Sequence, residues 1–373
     1  VLRIDAGVQR YDWGAPDGIP QLLGITPDGG PYAEAWWGAH PAAPSAVEGG
    51  DLAAVIASDP VSALGEDAAQ RWGKLPYLLK VLSIARPVSI QVHPTREQAH
   101  AINVAHVGAQ SPLADDEHKP EMVVALTPMR LQAGFRPVRH TAADLMVLDH
   151  PLATVLADVI VQPDGIATYV TQALAADAGA GLLESLTAAR DAGLGSDVLR
   201  AAADAADAHP GDTGALVALA LNVVELAPGQ ACFTGAGVVH SYHSGLGLEI
   251  MAASDNVLRA GLTTKPVHVP LLLDIAHLAP SDPLIPAPLG EGDDRTFYAP
   301  AEEFRLAVLA DGHGTWASGP RIVVALDGTA HVTAAGSTVT LSRGQAVFVP
   351  DSDGPVSVEA DGMAAVASVP EPA

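Results

Sequence analysis

Up to about residue 139 the chain alternates short apolar runs with Gly and Pro, a β-like texture. Residues 75–82 (Leu-Pro-Tyr-Leu-Leu-Lys-Val-Leu), 87–93 (Pro-Val-Ser-Ile-Gln-Val-His) and 121–126 (Glu-Met-Val-Val-Ala-Leu) read as strands. Between the last two, Thr95-Arg-Glu-Gln98 has capping-box spacing and predicts a short helix running toward His106. From about His140 to Leu219 the period changes. Alanine and leucine recur at helical spacing in 165–178, 182–192 and 198–208, and Asp212 or Thr213 could cap a further helix. This stretch reads as a helical insertion.

β texture then returns with a repeat. Leu226-Ala-Pro-Gly-Gln-Ala-Cys-Phe233 matches Leu341-Ser-Arg-Gly-Gln-Ala-Val-Phe348 at Leu, Gly, Gln, Ala and Phe. A turn-plus-strand unit recurring at such distance predicts two copies of one β-barrel module. The second copy runs on to Val349-Pro-Asp351 and has no histidine at the position of His240, so one module reads as chemical and the other as structural.

Polar residues inside apolar runs point to the chemistry. Between Gly247 and Lys265, Glu249, Asp255, Asn256, Arg259 and Lys265 punctuate apolar and small residues. Buried charges cost several kcal/mol unless paired or liganded, so this pattern suggests a site. In a strand, residues two apart share a face, which groups Ser89, Gln91 and His93, and likewise Lys119 and Glu121. His240 ends a Gly-rich turn. Gln91, His93, Glu121 and His240 would make an N/O ligand set suited to Zn, Fe, Mn or Ni. Singly, each has an ordinary structural explanation: His93 beside Pro94 as a turn or core histidine, Glu121 as a strand-edge charge, Lys265 as a solvated cation. Arg259 could simply pair with Asp255 or Glu249.

Composition narrows the partners. The 373 residues are too many for one ordinary core, and an apolar content of 49% suffices for folded ones. A formal net charge of −24, from 43 acidic and 19 basic residues, disfavours nucleic acid and anionic membranes. The only lysines are Lys74, Lys80, Lys119 and Lys265, and two of them fall in the polar constellations above. A small phosphorylated metabolite in a deep pocket fits such sparse, local cations. Cys232 is the one cysteine, so no internal disulfide is possible. The opening residues show no signal-peptide pattern and no run reaches the roughly 20 apolar residues of a membrane span, so a soluble, cytoplasmic protein is expected.

Several segments together resemble the type I mannose-6-phosphate isomerases. They are Tyr32-Ala-Glu-Ala-Trp-Trp-Gly-Ala-His-Pro41, residues 75–80 through Ser89-Ile-Gln-Val-His-Pro94, His118-Lys-Pro-Glu-Met122, and residues 240–265 with Asp255-Asn-Val-Leu-Arg-Ala-Gly261. The resemblance implies a mainly β fold with α, a double cupin of jelly-roll barrels with an inserted helical domain. Residues 1–139 and 220–295 would form the catalytic cupin, 140–219 the insertion, and 296–373 a C-terminal barrel without metal ligands. It implies one zinc per chain on Gln91, His93, Glu121 and His240. Arg259, Lys119, Glu249 and Asp255 match active-site positions, while Ser89, Lys80 and Lys265 match positions of phosphate or substrate contact. Thr264 and His243 depart from the common pattern, where proline and leucine are usual. The implied reaction is reversible conversion of mannose 6-phosphate to fructose 6-phosphate through a cis-enediolate, by a monomer. The proton carrier stays open among Lys119, Glu249 and Asp255. Two His and a Glu also leave open a cupin metal-dependent oxygenase, and a non-catalytic sugar-phosphate-binding cupin is a third reading.

Overall fold

A computed structural model describes residues 1–107, 110–175, 180–290 and 295–370. Two large sheets, with antiparallel strand pairs, carry the β content. The first is organised around the 13-residue strand His240–Ala252. Its first residues pair with Met129–Phe135, and from Gly245 onward it pairs with Tyr77–Ile84, while Glu121–Ala125 lies against its 247–251 stretch. The second sheet is built on Arg321–Ala334 and Val356–Ser368, flanked by Ala346–Val349 and Arg305–Ala310. Leu2–Ile4 pairs with Ala346–Val349, so the chain begins in the C-terminal sheet before building the first one.

Strand alternation explains how the sheets pack. Tyr77, Leu79 and Val81 point into a core shared with Ile322, Val324 and Phe348 of the other sheet. Leu78, Lys80 and Leu82 point the other way, into a cavity. Glu121–Ala125 follows the same rule: Met122 and Val124 join the shared core, whereas Val123 and Ala125 belong to a separate apolar cluster inside the first module.

The predicted strands at 75–82 and 121–126 are found as Tyr77–Ile84 and Glu121–Ala125. The run at 87–93 is regular only at Gln91–Val92. The cause is its hydrogen bonding: the Val88 N–H donates to Tyr242 O and the Ile90 N–H to Gly261 O, two separate segments rather than one partner strand. The Thr95–Gln98 capping box is present, heading the helix Arg96–Ala105. Four helices of five to seven residues break the β-like first region: Gly18–Leu23, Leu52–Ser58, Pro60–Leu64 and Glu66–Trp72. They are too short for periodicity to register, and the middle two are held by Asp51 and Asp59, which accept from the N–H groups of Ala54 and Ser62.

The stretch read as an insertion carries the helices Val138–Leu145, Pro151–Ile160, Gly165–Ala173, Ala180–Asp191, Asp197–Ala208 and Gly214–Ala218. Residues 176–178 of the predicted 165–178 run lie outside the described residues. Leu156, Tyr169, Leu199 and Leu216 of the insertion share one core with Ile90, Val92, Leu258 and Ala260. The insertion thus packs directly behind the segments that carry Gln91 and Arg259. Among the described residues no helix is long and apolar enough to cross a membrane.

The sequence repeat has a structural counterpart. Gly229 and Gly344 adopt φ of 79° and 81°, the left-handed region that favours glycine. Their N–H groups donate to Ala125 O and Ala325 O, each at 2.7 Å. Gln230 and Gln345 close the turns by accepting, through Oε1, from the N–H groups of Ala227 at 2.8 Å and Ser342 at 2.9 Å. Gly and Gln recur in sequence because the same turn recurs in space.

Candidate metal centre and cavity

Glu121 opens its strand, opposite Thr234. His240 begins the long strand, across from Gln91 and Ala133, and His93 follows Gln91–Val92. Their side chains converge in the interior. His240 Nε2 lies 2.8 Å from Glu121 Oε1, and His93 Nε2 lies 3.4 Å from Oε2. The three ligand atoms fall within 4.8 Å of one another, and all three residues are buried.

The other imidazole nitrogens face backbone carbonyls: His93 Nδ1 meets Asn256 O at 2.7 Å and His240 Nδ1 meets Val238 O at 2.9 Å. A carbonyl only accepts, so each Nδ1 carries the proton and each Nε2 is the nitrogen turned toward the carboxylate. Burial and the nearby Lys119 push the His93 pKa down to about 4, which keeps the ring neutral. Burial opposes the charge on Glu121, but Lys119 beside it favours the ionised form, and the carboxyl is held well below its usual range. With both Nε2 atoms unprotonated, as metal binding requires, two lone pairs and a carboxylate face one another, an arrangement that a cation between them stabilises. The fully buried His93 Nε2 has no hydrogen-bond partner. This donor set fits a metal of the Zn, Fe, Mn or Ni type, with outer hydrogen bonds that orient both rings.

The centre opens on a cavity of about 580 Å³. Lys80 lies between Glu34 at 3.6 Å and Glu249 at 3.3 Å. Burial disfavours its charge, yet Glu34, Glu249 and Glu121 raise its pKa above the ordinary lysine value. Burial raises the Glu249 carboxyl although Lys80 acts against it. Lys119 Nζ donates to Glu121 Oε2. Asp255 is held ionised chiefly by its hydrogen bond with His40, at 3.2 Å. Arg259 and Lys265 differ from these. Among the described residues neither has an acidic partner at ion-pair distance, and burial lowers the pKa of both. They are the uncompensated cations of the cavity wall.

Ser89, Gln91, Lys119, Glu121, His240, Glu249, Asp255, Arg259, Lys80 and Lys265 therefore line one cavity, and His93 stands buried behind it. The pairing of Arg259 with Asp255 or Glu249, open from the sequence, does not form. Sequence reasoning left four contributors unnamed. Glu34, which binds Lys80 and accepts from Trp36 Nε1, is a lone charge in an apolar run, the signal already used for residues 247–265. His40 and Tyr11 carry no comparable signal. Neither does His209, which reaches the cavity wall from the insertion.

Residues 1–138 match the family model described as phosphomannose isomerase type I, catalytic domain. The chain is 33% identical over 378 residues to mannose-6-phosphate isomerase of Escherichia coli K12, covering 96% of this chain and 97% of that protein. It is 31% identical to mannose-6-phosphate isomerase 1 of Arabidopsis thaliana, covering 93% and 89% of the two chains. Among solved structures, a mutant phosphomannose isomerase from Salmonella typhimurium is similar with a TM-score of 0.91 at 30% identity over 99% of both chains. A mannose 6-phosphate isomerase bound with zinc and yttrium is similar with a TM-score of 0.89 at 30% identity, again over 99% of both. These likenesses agree with the mainly β, cupin-like fold class expected from the sequence.

Proposed function

The chain belongs to the type I phosphomannose isomerase family, and from that premise we propose that it interconverts mannose 6-phosphate and fructose 6-phosphate in the cavity beside Glu121. The observation that carries this reading is the convergence of His93, Glu121 and His240 next to two uncompensated cations. We assign one zinc per chain to these three residues, with the amide oxygen of Gln91 as fourth ligand. The Gln91 Nε2 donates to Ser89 Oγ at 3.1 Å, which leaves that oxygen for the metal. Bound there, zinc supplies a Lewis acid that polarises the substrate carbonyl.

The residues divide the remaining work. A general base needs a proton affinity near that of its surroundings at neutral pH. Glu249, whose carboxyl is raised by burial, meets that need better than Asp255, which His40 holds ionised. Glu249 therefore takes the proton from C2 of the open sugar and returns it at C1, by way of a cis-enediolate. Lys119 and Arg259 place N–H donors where negative charge develops on the substrate oxygens. Asp255 accepts from a sugar hydroxyl at the cavity rim. Lys265 anchors the phosphate, and Ser89 contacts the same end. Lys80, already shared by Glu34 and Glu249, donates to the sugar and orients Glu249. The protein works as a monomer in the cytoplasm.

Zinc-loaded protein given fructose 6-phosphate, with mannose 6-phosphate detected by a coupled assay, tests the reading. Interconversion that is lost to a chelator and restored by zinc is expected, without oxygen uptake. Oxygen uptake, or sugar-phosphate binding with no turnover, overturns it in favour of the oxygenase or the binding protein. The proton assignment stands separately. Glu249→Gln should abolish turnover with metal retained, whereas near-normal turnover would return Lys119 to the role, for Lys119→Met to examine.

A further inference from the structure

One turn of the helical insertion reaches into the cavity wall. His209, at the end of the helix Asp197–Ala208, lines the cavity and donates from Nε2 to the Pro87 carbonyl at 2.7 Å. Three residues on, Asp212 accepts through Oδ2 from the Thr263 N–H at 2.9 Å and through Oδ1 from the Gly214 N–H at 2.8 Å. Thr263 Oγ1 in turn accepts from the Lys265 N–H at 3.0 Å.

The backbones meet closely here. A Cβ on Gly214 would lie 2.7 Å from Gly261 Cα, and Gly261 adopts a φ of 121°. Gly261 O accepts from the Ile90 N–H at 3.1 Å, and Ile90 O accepts from the Ala260 N–H at 3.0 Å. The segment with Ser89 and the segment with Arg259 and Lys265 are thus tied to each other and to one turn of the insertion. Both oxygens of Asp212 are spent on backbone N–H groups, one inside the insertion and one in the loop that carries Lys265. A charged acceptor bridging two segments fixes their spacing more firmly than apolar packing alone, because its hydrogen bonds are directional and strong.

We propose that this turn sets the position of the phosphate-binding end of the cavity, with Asp212 as a positioning residue that acts through Thr263 on Lys265. The inference rests on the reading of Lys265 as the phosphate anchor and assigns the helical insertion a part in substrate binding. Displacing a binding group by about an ångström is enough to weaken its contribution severely.

The test compares Asp212→Ala and Asp212→Asn with the unaltered zinc-loaded enzyme, following kcat, the KM for fructose 6-phosphate and competitive inhibition by inorganic phosphate. Asp212→Ala should raise the KM and the phosphate inhibition constant together by roughly tenfold, with kcat changed by no more than about twofold. Asp212→Asn keeps one acceptor oxygen and should show a smaller rise in the same two constants. In a Lys265→Met background the Asp212 change should add little, because both act on one contact. Unchanged KM and phosphate inhibition in both Asp212 variants, with only thermal stability reduced, would reduce Asp212 to a structural tie and overturn the proposal. Full additivity with Lys265→Met would overturn it as well. If Asp212→Ala does not fold, Asp212→Asn and its combination with Lys265→Met decide. Should Lys265→Met alone leave both constants unchanged, the phosphate anchor is elsewhere, a failure of the underlying reading that is visible before any Asp212 variant is made.

Discussion

The two β modules share a turn and a strand register, and they part at one buried position. In the first, Thr234 pairs with Glu121; in the second, Val349 pairs with Arg321. With Phe233 matched to Phe348 by the repeat, Glu121 and Arg321 are counterparts. Both begin a strand whose alternate residues face the module's own interior, Val123 and Ala125 in one, Val323 and Ala325 in the other. The long strands that follow are both 13 residues, but one begins with His240 and the other with Val356. The scaffold therefore offers a buried, inward-facing place for one charge in each module. What surrounds that charge decides the outcome. Glu121 meets two imidazoles, Lys119 and a cavity. The fully buried Arg321 is held by backbone, its two terminal nitrogens donating to the carbonyls of Gly319, Pro350 and Gly354 while its Nε has no partner. A buried charge must be compensated, and these are two solutions, one that leaves room for a metal and one that closes on itself.

The comparison breaks most visibly at Glu121. Glu121→Gln keeps the shape and removes the anion that makes the two Nε2 lone pairs a cation site. Metal content should fall to a small fraction of one per chain, and turnover should drop by about 10³-fold or more. Metal analysis beside the coupled assay measures both. Retention of metal, with turnover within tenfold of normal, would mean that the carboxylate is not what separates the modules.

The opposite change is expected at Arg321. Arg321→Met removes the charge, and the carbonyls of Gly319, Pro350 and Gly354 each lose a charged donor, at a cost of about 4 kcal/mol in all. Urea denaturation should show that loss, while kcat of the folded fraction stays within about twofold. A fall in kcat without a fall in stability would make the C-terminal module part of the chemistry rather than its support.

Much of this contrast was legible in the sequence, because its determinants are local. The Leu-x-x-Gly-Gln-Ala-x-Phe repeat marks a turn that needs a left-handed glycine and a glutamine to close it, and the missing histidine marks the silent copy. Charges inside an apolar run marked Glu249, Arg259 and Lys265, and the strand face shared with Lys119 marked Glu121. What could not be read was contact between distant segments. Nothing local to Arg321 shows that it is the counterpart of Glu121, since that follows from strand register. Nothing near His209 announces that an insertion helix ends at the cavity. The segment around Ser89 reads as a strand from its alternation, yet it is shared between Tyr242 and Gly261 and stays irregular. Leu2–Ile4 lies far in sequence from the Ala346–Val349 strand that it joins.

Acid should also tell the modules apart. His243 is buried in the first module, where burial above all, with repulsion from Arg130 and His209, lowers its pKa from 6.5 to about 4. In the C-terminal module His313 is exposed and His331 only partly buried. Between about pH 6.5 and 4 the unfolded chain binds a proton at His243 that the folded chain does not. Stability is therefore complete above that window and is lost as the pH falls through it, by about 3 kcal/mol in all. Urea denaturation of metal-free protein from pH 7 downward should show this slope together with a like one from His93, whose pKa is also lowered to about 4, and His243→Leu should remove about half of it. An equal slope in the variant would place the acid sensitivity elsewhere.

The smallest expected effect tests the likeness rather than the difference. Gln230 and Gln345 are both exposed, and each closes its turn with one side-chain acceptor. If the modules are two copies of one device, Gln230→Ala and Gln345→Ala should each cost about 1 kcal/mol, within about half of that of each other, and neither should change kcat. The surroundings are not identical. Arg295 donates to Gly229 O, whereas Gly344 lies against the backbone of Leu22. Equal losses in urea denaturation would mean that the turn's own hydrogen bonds set its stability. A clear inequality would mean that each copy has come to rely on its neighbours, so that the repeat persists in sequence for a different reason on each side of the molecule.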